Sequence, residues 1–283
     1  MKYLPTIILA LLLGLTGAAA DPQADKPKQK PLIKEFMGLN GHFQFKPELY
    51  KQTCRLVRNY HNLSWDYGKR DRSRLPQFPL AANRVDWNRH VYGKWRKHGF
   101  EIDASIQFGK SDGKEWTKNP KAAFAYGKAF ADYFGPSGKN KLLTSAEIGN
   151  EPVNISNEDY RIIFEHMAKG LRAGDPKLKI LTASTGVVPD KWSKAIKLHK
   201  GLEDFYDVIN VHKYPAAEGW PTWRRSYPED PKIDYLKVIR DVVEWRDRNA
   251  RDKEIWVTEF GYDACTDAAM KTRKKPFQRW VDV

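Results

Sequence analysis

The sequence predicts an α/β protein, a (β/α)8 TIM-type barrel that stops after its seventh strand. Short β-rich runs alternate with longer helical patterns, as in parallel strands joined by crossover helices. Roughly 250 residues remain once a leader and a linker are set aside, about the length of one such barrel. A doubly wound sheet is disfavoured because its glycine-rich phosphate turn is missing: Gly38 and Gly41 do not make a GxGxxG pattern.

Residues 1–20 read as a secretory signal peptide, with Lys2, an apolar run from Ile7 to Leu15 and the small residues Ala18, Ala19 and Ala20 before Asp21. That run is shorter than the ~20 apolar residues that span a bilayer. The expected destination is therefore secreted or periplasmic, with no membrane contact beyond export. Residues 21–34, rich in Pro, Lys, Gln and Asp, carry too little apolar surface to fold and read as a flexible linker. The barrel domain takes residues 35–283. Its predicted strands are 36–40, 56–60, 100–107, 142–149, 179–184, 207–211 and 254–258, and its predicted helices are 47–55, 86–98, 121–134, 157–173, 191–199 and 233–248. Asn83 and Asp86 are cap candidates for the second helix, and Ser156 to Asp159 crowds the start of the fourth with acceptors and negative charge. Within that helix Tyr160, Ile163, Phe164, Met167 and Leu171 recur at helical spacing and mark a core stripe.

The formal net charge is +14, one less once Lys2 leaves with the leader. Such a balance favours acidic partners, for which sulfated or uronate sugars are the candidates, although much of the charge sits at spacings that suit solvated helix faces. No nucleic-acid recognition motif is present. Cys54 and Cys265 are the only cysteines, so a disulfide framework is excluded, while one bridge and two thiols both remain open. The seven histidines show no HExxH or paired CxxC context, so no metal or other cofactor is expected.

Two glutamates end β-type runs: Glu151 in Ser145-Ala-Glu-Ile-Gly-Asn-Glu-Pro152 and Glu259 in Ile255-Trp-Val-Thr-Glu-Phe-Gly261. Active groups of barrels lie at the C-terminal ends of strands. Paired carboxyls there suit glycosidic bond cleavage, one protonating the leaving oxygen while the other attacks or activates water. Between them, period-two geometry puts Val208, Asn210, His212 and Tyr214 on one strand face. His212 could orient a carboxylate or a sugar hydroxyl, and Tyr214 could bond the nucleophile. Loop aromatics suited to stacking on sugar rings are Trp220, Trp223 and Tyr227 after the sixth strand, Trp65 beside His61 after the second, and Trp116 after the third. Arg224 and Arg225 adjoin the first group, whereas Trp87, Trp95 and Trp245 fall in helices and read as packing.

On these motifs the chain resembles the clan-A retaining glycoside hydrolases, the (β/α)8-barrel superfamily of the cellulase/mannanase and β-xylosidase families. There Asn-Glu-Pro ends the fourth strand and carries the acid/base, and the nucleophile ends the seventh within Thr-Glu-Phe/Trp-Gly. Asn150-Glu151-Pro152 and Thr258-Glu259-Phe260-Gly261 match both, and His212-Lys213-Tyr214-Pro215 matches the His-x-Tyr-Pro of the sixth strand. The resemblance implies hydrolysis of β-linked poly- or oligosaccharides by double displacement, with Glu259 attacking and Glu151 acting as acid and then base across roughly 5 Å. It further implies that Arg58 lies beneath the nucleophile and that Asn150 bonds the sugar 2-hydroxyl. Glu147, one layer below Glu151, is then a buried partner for Arg58.

The family barrel has eight strands, yet 22 residues follow Gly261, fewer than a further helix, strand and helix need. The expectation is a barrel lacking its eighth βα unit, with the first and seventh strands keeping unpaired edges and with low solubility or activity. A carbohydrate-binding remnant that keeps the cleft without turnover is the alternative.

Overall fold

Seven parallel strands follow one another around a sheet whose spatial order is the chain order: β1 Gly38–Asn40, β2 Leu56–Asn62, β3 Glu101–Gln107, β4 Ser145–Ile148, β5 Lys179–Leu181, β6 Val208–Lys213 and β7 Glu254–Phe260. The computed structural model describes residues 32–41, 46–68, 74–79, 82, 84–152, 155–184, 198–218 and 226–261. Every adjacent pair is parallel, as strands joined by helical crossovers must be. The sheet curls into a nearly closed barrel, and the Asn40 side-chain amide reaches the Thr258 carbonyl of β7 at 3.4 Å across the gap between first and last strands. Among the described residues there is no eighth strand, as the sequence led us to expect.

All seven expected strands are present, and three of them run two residues past their expected ends: β2 to Asn62, β6 to Lys213 and β7 to Phe260. β1 is shorter than expected because residues Ile33–Phe36 turn as a short helix before it. The helix expected over 47–55 stops at Tyr50, whose carbonyl is taken by the backbone of both Thr53 and Cys54 and by the Thr53 hydroxyl. Cys54 is therefore a buried free thiol in the lead-in to β2, and Cys265 lies outside the described residues. The helix expected over 86–98 is capped by the Asp86 side chain, which accepts from Arg89 N at 2.8 Å. Its first part, Trp87–Tyr92, is a π-helix leading into an α-turn at Gly93–Lys97. The wider π turn brings residues five apart into line, and Trp87 stacks on Tyr92 with ring centroids 5.5 Å apart. The helix expected over 191–199 lies almost wholly outside the described residues, as do Asn83 and the signal peptide and most of the linker.

Helices Pro120–Phe134 and Asn157–Gly174 pack with almost no side chain between them: a Cβ on Gly127 would meet the Met167 carbonyl at 2.5 Å, and one on Gly170 the Phe124 carbonyl at 2.1 Å. The stripe Tyr160, Ile163, Phe164, Met167 and Leu171 is fully buried in the core. Tyr160 also latches two strand ends, donating to Ile148 O at 2.7 Å and accepting from Ala183 N at 3.1 Å. Such a latch fixes the height at which β4 hands over to the residues carrying Glu151. No described helix is long and apolar enough to cross a membrane.

Candidate active site

Alternation along β2 sends Arg58 and Tyr60 into the barrel and Val57, Asn59 and His61 toward the helices. Arg58 becomes the hub of the interior, and its five N–H donors are all engaged. Nε donates to Glu147 Oε2 at 2.7 Å, Nη1 to Glu259 Oε1 at 2.7 Å and Asn40 Oδ1 at 3.1 Å, and Nη2 to Asn150 Oδ1 at 2.7 Å and Ser105 Oγ at 3.3 Å. Burial pulls the guanidinium's pKa down, but Glu147, Asp103 and Glu259 more than reverse this and hold it above its ordinary value. The expected Glu147 to Arg58 pair is thus present, with Glu147 fully buried.

Glu259 reaches the interior through an irregularity. Val211 pairs with Val257, yet the next residue, His212, pairs with Glu259, leaving Thr258 as an extra residue in β7. A bulge of this kind lets two consecutive side chains face one way. Thr258 bonds Asn210 on β6, while Glu259 receives three donors: Arg58 Nη1 and the Tyr60 hydroxyl at 2.7 Å on Oε1, and the Tyr214 hydroxyl at 2.9 Å on Oε2. Burial pushes this carboxyl up. His212, Tyr60, Arg58 and Tyr214 outweigh it and hold Glu259 below the usual carboxylate range. Burial and the facing carboxylate push the Tyr60 hydroxyl up to about 12, so it remains a donor across the neutral range.

Glu151 stands three residues beyond β4, after Gly149 at φ +82°, a left-handed turn that favours glycine. A Cβ there would also press on the Tyr160 ring at 3.2 Å. Glu151 remains about one-third exposed, and its Oε1 accepts from His212 Nδ1 at 2.9 Å. The same Nδ1 lies 3.6 Å from Glu259 Oε2, so one imidazole sits between the two carboxylates. Its Nε2 lies 3.5 Å from Arg58 Nη2. Glu151, His212 and Glu259 bring ligand-type atoms within 4.8 Å of one another, the spacing of a cation site. Both oxygens of Glu259 are, however, already committed to the Arg58 guanidinium and two hydroxyls.

Arg58, Asn150, Glu151, His212, Tyr214 and Glu259 therefore converge, while other expected site residues do not. His61, expected to line a loop, is a correction: β2 runs on to Asn62, so His61 faces outward with no exposed surface, between Tyr92 Oη and Asp66 Oδ2, each at 2.8 Å, and stacked on Trp87 at 4.0 Å. Trp116 is a second correction, because it lies in the helix Lys110–Lys118 rather than in a loop and is completely buried against Phe108 and Tyr126. Trp65 is 43% exposed on the helix Leu63–Tyr67 that follows β2 directly, with its ring stacked on Trp87. Trp220, Trp223, Arg224 and Arg225 lie outside the described residues. Tyr60 is the residue that sequence reasoning missed, although its spacing of two from Arg58 carried the signal.

No protein-family model matches the sequence, and no curated protein matches it. Solved structures do match its fold. A glucosidase from Croceicoccus marinus aligns with TM-score 0.53 and 13% identity over 83% of this chain, which spans 53% of that protein. Endoglucanase Cel5A from Thermotoga maritima aligns with TM-score 0.54 and 19% identity over 80% of this chain and 76% of its own, and a mutant form seen with cellobiose aligns with TM-score 0.56 and 18% identity over 84% and 81%. The endo-1,4-β-mannanase of Rhizomucor miehei aligns with TM-score 0.54 and 12% identity over 85% and 80%. Likeness at these identities establishes the fold, a (β/α) barrel.

Proposed function

We propose that this chain is an exported retaining glycoside hydrolase of β-linked poly- or oligosaccharides, with Glu259 as nucleophile and Glu151 as acid/base. The observation that carries the reading is the pair itself: carboxylate oxygens of Glu151 and Glu259 lie within 4.8 Å of each other on either side of His212. Retaining enzymes hold their carboxyl groups about 5 to 5.5 Å apart, whereas inverting enzymes leave room for a water between them. The two environments also fit two roles. Glu259 is buried among three donors that keep it ionised and aimed, and Glu151 is partly exposed where a leaving group would enter and water would follow.

In this mechanism Glu259 attacks the anomeric carbon as Glu151 passes its proton to the departing oxygen. Glu151 then takes a proton from the water that releases the glycosyl group. Asn150, whose Oδ1 is held by Arg58, keeps its amide hydrogens for the substrate, for which the 2-hydroxyl is the proposed partner. The folds of an endoglucanase seen with cellobiose and of a 1,4-β-mannanase support β-1,4-linked hexose chains as the substrate class. The net positive charge supports including anionic glycans among the substrates tried. Incubation with an activated 2-fluoro-glycoside is expected to label the peptide carrying Glu259; labelling elsewhere overturns the assignment. The gap between β1 and β7 favours a second reading, a carbohydrate-binding remnant, for which glycan binding without any label is the expected result.

Tyr60 gives a sharper test of the site's electrostatics. Because Glu259 is held below the usual carboxylate range, it stays ionised, and the acid limb of kcat/KM is expected below that range too. Tyr60→Phe removes one donor to the carboxylate, which is expected to lower kcat/KM about 10- to 100-fold. It also lets the pKa of Glu259 rise, so the acid limb moves to higher pH. A variant with the wild-type acid limb would contradict this.

A further inference from the structure

Beneath Glu259 the barrel interior holds more carboxylate than one guanidinium can balance. Arg58 faces Glu147, Asp103 and Glu259, all three buried. Two of their oxygens have no hydrogen-bond partner among the described residues, Glu147 Oε1 and Asp103 Oδ2. Oδ2 lies 3.9 Å from Arg58 Nε, too far for a hydrogen bond, and that N–H already serves Glu147. Among the described residues, the surrounding elements bring no second cation to these oxygens. Ser145 of β4 donates to the other oxygen of Asp103, Tyr160 is turned to Ile148 O and Ala183 N, Tyr92 is bonded to His61, and the Lys179 ammonium of β5 is taken by Glu254. His212 of β6 turns Nδ1 to Glu151 and Glu259.

We propose that Asp103 and Glu147 share one proton beneath Arg58, which leaves the guanidinium's charge directed at Glu259 and makes the two acids positioning residues for it. Were both carboxylates ionised they would repel each other, and Glu147 Oε1 and Asp103 Oδ2 have no donor among the described residues to relieve them. Desolvation pushes both groups upward, Glu147 well above the usual range. The folded chain keeps a proton that the unfolded chain gives up near ordinary carboxylate pH, so this contribution to stability is complete at low pH and is lost as pH rises through the raised value.

The proposal rests on the hydrolase reading only for its kinetic consequence, and its main tests need no turnover. Infrared spectra of the full Glu151→Gln chain at pH 7, in which the proposed acid/base contributes nothing, are expected to show the C=O stretch of a protonated, dry carboxylic acid. That band is expected to vanish when Asp103→Asn and Glu147→Gln are added. A Glu151→Gln chain with only ionised carboxyls overturns the proposal without any variant in the pair. In melts, the Tm of Glu147→Gln is expected to gain steadily on wild type from pH 5 to pH 8; a constant difference overturns it. For the kinetics, the acid limb of Glu147→Gln is expected to match wild type, because the amide replaces one acid of a pair that already carried a single charge and Asp103 still carries it. A downward shift of about one pH unit, the result of removing a full negative charge, counts against it. Should Glu259 escape fluoro-sugar labelling while the band persists, the hydrolase reading fails and the shared proton stands.

Discussion

Replacing Glu259 with Gln is expected to lower kcat/KM on the order of 100,000-fold, the scale at which a covalent nucleophile is lost, without unfolding the chain. The amide is isosteric, and its oxygen can still accept from Arg58 and the Tyr60 hydroxyl, both at 2.7 Å in the wild type. Its NH2 then meets the Tyr214 hydroxyl, which can rotate to accept. What disappears is the negative charge that attacks the anomeric carbon in the proposed mechanism. Glu151→Ala should behave differently. With a poor leaving group it loses protonation, about 100- to 10,000-fold, whereas with an activated aryl glycoside the first step hardly needs the acid. Azide then restores turnover by replacing the water that Glu151 would activate, and the product is a glycosyl azide of retained configuration. Full activity in Glu259→Gln, or an azide product of inverted configuration, would sink the proposed mechanism. Circular dichroism of both variants, matching wild type, separates chemistry from folding.

The sequence was most legible where side-chain period and strand position say the same thing. His212 and Tyr214 reach their partners because β6 alternates without interruption. Glu147 was readable as the partner of Arg58 because it lies one strand layer below Glu151. The sequence is harder to read where an element runs a residue or two past its expected end, or where a helix has little propensity of its own. Ending β2 at Tyr60 made His61 a loop residue; extending it to Asn62 puts His61 on the helix-facing side and Tyr60 on the interior side with Arg58. The helix that carries Trp116 is hard to read from the sequence because Gly113 sits in its interior, where glycine is disfavoured. The Asp112 side chain accepting from Gly109 N at 2.9 Å, together with burial of the tryptophan, overrides that propensity. The β7 bulge was not readable at all. Strict alternation would send Thr258 and Glu259 to opposite faces, and only pairing with β6 shows that both point inward.

Arg58→Met is expected to cost stability as well as activity, and by more than any other single change in the interior. Removing the guanidinium takes one or more donors from Glu147, Glu259, Asn40, Asn150 and Ser105 together. It also leaves three buried acids without the guanidinium that faces them. Breaking a buried ion pair from one side costs about 3 to 5 kcal/mol, a large part of the roughly 5 to 15 kcal/mol that holds a typical domain folded. Arg58→Lys should rescue little of this, since an ammonium is a single compact charge and cannot span acceptors in three directions. The pH dependence carries the diagnosis. Without the cation the buried carboxyls titrate higher in the folded chain, so stability is retained at low pH and lost as pH rises through their raised values. Denaturant melts of Arg58→Met at pH 5 and pH 7.5 should therefore show the larger deficit relative to wild type at pH 7.5. An equal deficit at both would mean that Arg58 holds the barrel by packing and hydrogen bonds rather than by its charge. A midpoint close to wild type at both would mean that the interior of this barrel does not depend on it.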